Sequence, residues 1–553
     1  MMDTTCWPLP YRVNPAYGRK VAYFSMEFAI DQALKIYSGG LGFLAGSHMR
    51  SAYELRQNVI GIGMLWKYGY YDQSRNADQT LRVDFTKKYY PFLTDPGIQV
   101  TVQVNGHDVK VKALCLPAQV FGSAPLYLLT TDIPENDHLA RTITHCLYDV
   151  EPAARIAQSI VLGLGGAKVV EALGGADLYH MNEAHALPLA FHLMDRLGDA
   201  AQVRKHVVFT THTPEKAGNE EHETSFLKRM GFFGALSHEQ EVSLTGIHDH
   251  LFSHTLAALR VSHACNGVSR LHGAVANQMW EGNDGICSID AITNSQNALF
   301  WQDKKLRQAL DRNDPKRLVT RKKEMKDDLF RIVADQTGKL FDRNVLTIVW
   351  ARRFAHYKRA TLLLHDFHRF LAMIERTDRP VQIIWAGKPF PFDHDAISVF
   401  NGLVRLSRKK RNIAVLTGYE IELSRQLKQG ADVWLNTPVR PREASGTSGM
   451  TAAMNGAVNF SINDGWIPEF ARDGENSFII PVTEPGLNEH DQNEADYHNL
   501  MAILEERIMP LYYDEPHRWI DIVMASMRDV TPAFDSDRMA REYYEKLYTS
   551  GIC

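Results

Sequence analysis

Metal-ligand spacing is missing from this sequence. Neither an HExxH run nor a CxxC pair occurs, although the chain has 23 histidines. A zinc-type catalytic centre is therefore not expected. Cysteine is scarce. The six residues, Cys6, Cys115, Cys146, Cys265, Cys287 and Cys553, are scattered over 553 positions. That excludes a disulfide-stapled scaffold and fits a reducing compartment. No charge of one sign dominates, and a formal net charge of -4 gives no ground for non-specific nucleic-acid binding. No uninterrupted apolar run approaches the length of a membrane span. The opening stretch MMDTTCWPLPYRVNPAYGRK lacks the apolar core of a signal peptide. A cytoplasmic protein without a membrane partner is expected. Short-period repeats and low-complexity segments are also missing, so solenoid and linker-dominated architectures are not expected.

What remains is ordinary globular composition, 45% hydrophobic and 23% charged, in a chain too long for a single core. Two sets of strand and helix patterns follow one another. The first holds buried strands at 21–27, 59–65, 176–181 and 206–211, a β-rich insertion over about 83–130, and a helical run at 151–173 packed with small residues. The second begins after a charged helical stretch, 300–341. It alternates strands at 345–350, 381–386, 413–416, 433–435, 458–462 and 478–480 with helices expected at 357–374, 396–408, 420–429 and 450–455. A polar loop is expected at 486–499 and closing helices at 497–508 and 532–548. Such alternation predicts doubly wound parallel sheets. The expectation is an α/β protein of two Rossmann-like domains, 1–293 and 294–553, facing each other across a cleft that would hold the ligand.

The chemistry-bearing residues cluster at the predicted carboxyl ends of strands. Residues 440–466 read RPREASGTSGMTAAMNGAVNFSINDGW. An acid, Glu443, precedes the small residues Ser445, Gly446, Thr447 and Ser448, and an apolar helical run begins at Met450. A small-residue turn opening into a helix presents backbone N–H groups to an anion, and a carboxylate beside it can hydrogen-bond a polyol. The run ARRFAHYKRA (351–360) places Arg352, Arg353 and Lys358 after a buried strand, where fixed cations suit a phosphate or diphosphate. Gly39, Gly40 and Gly42 before a helix form either a phosphate cradle or a plain tight turn. His212, after the strand HVVFTT, serves equally as a site residue or as a capping or core histidine. With Asn294, Tyr357 and Glu443 as polyol readers, the set suits retaining glycosyl transfer involving a phosphate-bearing group. A glycosidase would need two flanking carboxyl groups, and Glu443 has no evident second partner in the sequence.

These residues lie in runs that resemble the α-glucan (glycogen/maltodextrin) phosphorylases, especially their shorter bacterial and archaeal branch. The runs are YFSMEFAI (23–30), YSGGLGFLAG (37–46), HMNEAHALPLAF (180–191), VFTTHTP (208–214), NGVSRLHG (266–273), ARRFAHYKRATLL (351–363), AGKPFP (386–391), DVWLNTPVRPREASGTSGM (432–450) and MNGAVNFSINDGW (454–466). The resemblance implies a GT-B fold, with the N-terminal domain on the glucan side and the C-terminal domain on the phosphate side. It implies that His212, Asn294, Tyr357, Glu443, Ser445 and Gly446 surround a glucosyl unit and that Arg353 and Lys358 hold the substrate phosphate, with Arg353, Lys358 and His212 as the catalytic set. It further implies that Gly39, Gly40, Arg352, Thr447 and Ser448 lie near the phosphate of pyridoxal 5'-phosphate. The partners implied are α-1,4-glucan or maltooligosaccharide with phosphate or glucose 1-phosphate, in a possible homodimer.

The chain departs from the pattern at Thr451, where the family has the lysine that holds the cofactor as an aldimine. Smaller departures are Ser47, where aspartate is common, and the run Ser295-Gln296-Asn297. Three readings stay open: a phosphorylase that holds pyridoxal phosphate without a covalent bond, a glucosyltransferase using nucleotide-glucose without that cofactor, and a non-catalytic glucan-binding relative.

Overall fold

The structure, a computed structural model, describes residues 7–483 and 487–548. Cys6 and Cys553 lie outside the described residues, as does position 486 at the start of the predicted polar loop; Cys115, Cys146, Cys265 and Cys287 are free thiols. The chain forms two compact units. One comprises Met1–Tyr71, Phe85–Asn297 and Ser536–Cys553; the other comprises Asp72–Asp84 and Ala298–Asp535. This differs from a single division at 293/294 in three places, the first being the boundary itself, which falls after Asn297 and leaves Asn294 in the first unit. A hairpin, Asp72–Arg75 with Leu81–Asp84, belongs to the second unit. There the Gln73 amide donates to Gly387 O at 2.9 Å and accepts from Gly418 N at 2.9 Å. The last helical segment returns to the first unit, where Ser51 and Ser536 hydroxyls meet at 2.6 Å and Tyr548 OH lies 2.7 Å from His180 Nδ1. Both docking events rest on contacts far apart in sequence, which local periodicity does not encode.

The first unit is built on one nine-stranded sheet. From edge to edge its strands are Ser288–Ala291, Ala264–Gly267, Val207–Thr210, Leu178–Asn182, Val21–Phe24, Val59–Met64, Leu126–Thr130, His107–Leu116 and Gln99–Val104. The first seven run parallel, and the β-rich insertion supplies the antiparallel edge. The helical run Pro152–Ala172 has the length and apolarity of a membrane span, but 78% of its most apolar 18-residue window is buried within the protein. Its glycines explain how it lies so close to its neighbours. A Cβ on Gly166 would fall 2.7 Å from the Phe24 ring, and one on Gly163 would fall 2.8 Å from Leu189 N. It is a core helix.

The second unit carries a six-stranded sheet in the order Ile413–Leu416, Val381–Ala386, Leu346–Ala351, Val433–Asn436, Val458–Ile462 and Ser477–Ile480. Every pairing is parallel. These strands are runs of buried residues because both faces are covered. Alternate side chains divide between two cores. Ile348, Trp350, Ile383 and Trp385 pack on one face, and Val349, Ala351, Ile384 and Ala386 on the other. Two predicted elements differ. The stretch expected to be helical from Tyr357 holds only short 3-10 turns, and its helix begins at Phe367. Arg359 takes φ +50°, which interrupts a helix, and Asp366 caps the later start by accepting from His368 N and Arg369 N. The polar stretch expected as a loop is helical from Glu489, capped by Asn488 accepting from Asp491 N at 3.0 Å.

Candidate active site

In an open parallel sheet, ligands bind at the carboxyl ends of strands where the strand order reverses. In the second unit that point lies between Leu346–Ala351 and Val433–Asn436, adjacent strands whose chain connections run to opposite sides. Arg352 follows the first strand and Asn436 ends the second. The Arg352 guanidinium, nearly buried, donates to Asn436 Oδ1 and, at 3.1 Å, to Glu443 Oε2. Asn436 passes the contact on to Asn459 Oδ1 at 3.4 Å, and Asn459 Nδ2 donates to Gly449 O at 3.0 Å. A Cβ on Gly449 would lie 2.5 Å from Asn459 Oδ1, so a glycine is needed for that approach. Lys358 donates to the same Glu443 oxygen as Arg352, and its ammonium lies 4.6 Å from the centre of the Tyr357 ring. The loop carrying it is fixed by Thr437, whose hydroxyl donates to Lys358 O at 3.1 Å and accepts from Trp350 Nε1 at 3.2 Å.

Burial pushes the Glu443 carboxyl up, but Lys358 and then Arg352 outweigh it and hold the group below its ordinary range, with Arg353 adding to the effect. Arg353 itself is exposed at the strand end. Arg352, Arg353 and Lys358 do not open a helix. They lie in a loop with one 3-10 turn, His356–Lys358, and what binds them is the Glu443 carboxylate.

The turn that carries Glu443 is laced to residues after the next strand. Asp464 accepts from Glu443 N at 3.0 Å and from Gly465 N at 2.8 Å. Trp466 N donates to Ser445 O at 3.0 Å. Gly446 has φ +90° and lies against the Glu443 side chain, a conformation that favours glycine. Arg352, Asn436, Glu443, Ser445, Gly446 and Asp464 line one small pocket that opens to solvent. Ser445 Oγ and Arg352 Nε are buried there without a hydrogen-bond partner, which leaves polar capacity for a ligand. Asp464 and Asn436 were not among the sequence-predicted residues. Asp464 also supplies the second carboxyl group beside Glu443 that the sequence did not reveal. Burial, reinforced by the negative Glu443, pushes the Asp464 carboxyl up to about 7.

Thr447, Ser448 and Thr451 follow. Thr447 precedes the seven-residue helix Ser448–Met454 without a side-chain capping hydrogen bond, and Ser448 Oγ accepts from Trp434 Nε1 at 3.4 Å. Thr451 is fully buried, and its hydroxyl donates to Ser448 O at 3.1 Å.

In the first unit the strand order reverses between Val21–Phe24 and Leu178–Asn182. Asn182 Nδ2 donates to Ser25 Oγ at 3.1 Å, and Asn182 Oδ1 lies 2.7 Å from His212 Nε2. His212 N donates to Glu183 Oε2 at 2.7 Å. Burial, then His272 and His185, push the His212 imidazole down to about 3, so it is neutral at ordinary pH. Glu183, at φ +74°, is pushed up to about 7 by burial. Asn294 is buried, its N–H donates to Val268 O at 3.0 Å, and its Oδ1 has no partner. Gly39 N donates to Glu27 Oε2 at 3.1 Å, as does Ser38 N at 2.6 Å. The glycine turn therefore already holds an internal carboxylate. A Cβ on Gly39 or Gly40 would meet nothing within 4 Å, so protein packing does not demand either glycine. Gly42 is different, since its Cβ would fall 2.7 Å from Glu27 Oε2.

A carbohydrate phosphorylase family model matches residues 293–506. The maltodextrin phosphorylase of Thermococcus litoralis is 32% identical over 597 residues, covering 97% of this chain and 71% of that protein. The glycogen phosphorylase of Mycobacterium tuberculosis is 33% identical over 617 residues, covering 96% and 70%. The chain belongs to the carbohydrate phosphorylase family. An uncharacterized protein of Methanocaldococcus jannaschii is 47% identical over 531 residues, 96% of this chain and 100% of that one.

Pyridoxal phosphate, implied by the phosphorylase family, does not fit as an aldimine at position 451. A hydroxyl cannot form that bond, and the Thr451 side chain is enclosed and tied to its own helix. The next lysine after Lys428 is Lys546, and Lys428 is buried with its ammonium 4.1 Å from the centre of the Trp301 ring. Two smaller departures from the phosphorylase pattern meet each other. Ser47 Oγ donates to Gln296 Oε1 at 3.0 Å, and Asn297 Nδ2 donates to Ser51 Oγ at 3.2 Å and Glu54 Oε2 at 3.1 Å.

Proposed function

We propose that this phosphorylase-family chain transfers glucosyl units, with retention, between α-1,4-glucan and inorganic phosphate, forming or consuming glucose 1-phosphate. The observation that carries this reading is the buried set of Arg352, Lys358 and Glu443 at the sheet's reversal point, beside Ser445 and Gly446. A phosphate is an anion of the right charge to replace Glu443 on the two cations. The carboxylate so released, with Ser445 Oγ, would accept and donate hydrogen bonds to glucosyl hydroxyls. Arg353, exposed at the same strand end, adds positive charge for the phosphate. Neutral His212 and the unpartnered Asn294 Oδ1 suit hydroxyl recognition on the glucan side. Tyr357 would contribute a ring edge to the sugar. The GT-B fold belongs to this proposal. The family would assign Gly39, Gly40, Arg352, Thr447 and Ser448 to a cofactor phosphate; in this reading Arg352, paired with Glu443, serves the substrate phosphate instead. Thr451 carries no amine, so an aldimine takes no part in this proposal.

Thr451 favours a second reading, a nucleotide-glucose donor whose diphosphate takes the place of phosphate on Arg353 and Lys358. Purified protein offered maltooligosaccharide with phosphate, with and without added pyridoxal phosphate, separates the two. Release of glucose 1-phosphate supports the first reading. Glucan extension from UDP- or ADP-glucose without such release would replace it with the second.

A further inference from the structure

Two loops leave the carboxyl ends of the adjacent strands Val433–Asn436 and Val458–Ile462. Two hydrogen bonds fasten one to the other, and a third, within the second loop, holds the Asp464 carboxyl. Asp464 Oδ2 accepts from Glu443 N at 3.0 Å, Asp464 Oδ1 accepts from Gly465 N at 2.8 Å, and Ser445 O accepts from Trp466 N at 3.0 Å. The last contact is tight. Gly465 has φ +60°, and a Cβ there would fall 2.3 Å from Ser445 O. Asp464 is 2% exposed and borders the pocket with Glu443. A carboxylate this deeply buried is costly to place unless its hydrogen bonds are filled, and here both oxygens are used on backbone N–H groups.

Glu443 is thus held twice, by its side chain on Arg352 and Lys358 and by its backbone on Asp464. The two holds are not equivalent once a ligand arrives. An anion that takes the cations removes the side-chain hold, because one carboxylate oxygen and the ligand compete for the same donors. The backbone hold does not depend on those donors. We propose that Asp464 is a positioning residue that fixes the Glu443–Gly446 turn so that Glu443 stays in place for a glucosyl hydroxyl when phosphate displaces it from Lys358 and Arg352. The inference rests on the phosphorylase reading for the ligand, but the clamp itself does not.

Asp464→Asn keeps the shape and one acceptor oxygen while setting an amide NH2 against a backbone N–H. Amide hydrogen exchange of the wild type and this variant tests the clamp. The expected result is about ten-fold faster exchange at Glu443–Gly446, consistent with loss of one hydrogen bond, with the strand Val433–Asn436 unchanged. Unchanged exchange at Glu443 overturns the clamp whatever the site binds. The wild type alone provides a check if the variant fails to fold. Glu443 N–H must be protected to the level of Trp466 N–H, and exchange at an open-loop rate overturns the proposal.

Calorimetry with inorganic phosphate and with glucose 1-phosphate then reads the role. Glucose 1-phosphate affinity is expected to fall about ten-fold in Asp464→Asn while phosphate affinity holds. An equal fall for both ligands, or none, overturns the positioning role. A wild type that binds neither ligand contradicts both the phosphorylase reading and the glucosyl role of Asp464, and hydrogen exchange still decides the clamp.

Discussion

Arg352 lies 3.1 Å from the Glu443 carboxylate, on the same oxygen that Lys358 holds. The two cations are 7% and 8% exposed, so the carboxylate neutralises charge that water screens only weakly. In the proposed reaction this carboxylate acts as a counter-ion that phosphate replaces. This relationship gives the first prediction.

Glu443→Gln leaves Arg352 and Lys358 without their counter-charge and is expected to destabilise the protein by about 1–3 kcal/mol. Phosphate should then restore stability. The melting temperature of the variant should rise more with added phosphate than that of the wild type does. Equal shifts in the two proteins would show that phosphate and Glu443 do not share a place.

Asp464 gives a pH prediction. Its folded-state carboxyl is pushed up to about 7 from an ordinary 3.8. The folded protein therefore holds a proton that the unfolded chain releases between those values. The stabilisation is fully present below the ordinary value and is lost as pH rises through about 7. Glu443 and Arg440 are the charged neighbours that set this value after burial. Denaturant unfolding of wild type and Asp464→Asn at pH 5 and pH 8 checks it. The wild type should lose stability relative to the variant on going to pH 8, and a difference constant with pH would contradict the assignment.

Thr451→Lys places an ammonium at a fully buried position and should lower stability by about 3 kcal/mol. With excess pyridoxal phosphate the same variant should gain an absorbing, borohydride-reducible adduct and recover its melting temperature. A loss that the cofactor does not recover would mean that its place has closed.

Ser47 and Gln296 should be coupled. Ser47→Ala leaves Gln296 Oε1 without its donor and is expected to cost about 1–2 kcal/mol. A double-mutant cycle with Gln296→Leu should return an interaction of about 1 kcal/mol. Additive costs would mean that the two departures from the family pattern arose independently.

The two parallel sheets could be read from the sequence because their strands are short apolar runs between helical patterns, and Val381–Ala386 and Val458–Ile462 fall where those runs lie. Glu443 and Lys358 were visible as a lone acid before a small-residue turn and a cation after a buried strand. Asp464 was not, although the run Asn463-Asp464-Gly465-Trp466 after a strand carries the signal of a polar turn. Its role depends on a loop more than twenty positions earlier, and spacing alone cannot pair them. The hairpin Asp72–Asp84 was placed in the first domain for the same reason. Its destination is set by Gln73 and by Arg75, which donates to Val415 O. The helix expected from Tyr357 failed on one residue, Arg359 at positive φ, whose guanidinium is drawn inward to Thr437 O at 2.8 Å and to Asp496 at 2.7 Å.

Phosphorolysis is the most direct test. Wild type and Lys358→Met are incubated with maltooligosaccharide and inorganic phosphate, and glucose 1-phosphate is measured. The expected result is release by the wild type in proportion to enzyme, and a loss of at least about a hundred-fold in Lys358→Met. No release by the wild type, together with glucan extension from nucleotide-glucose, would contradict the phosphorylase reading.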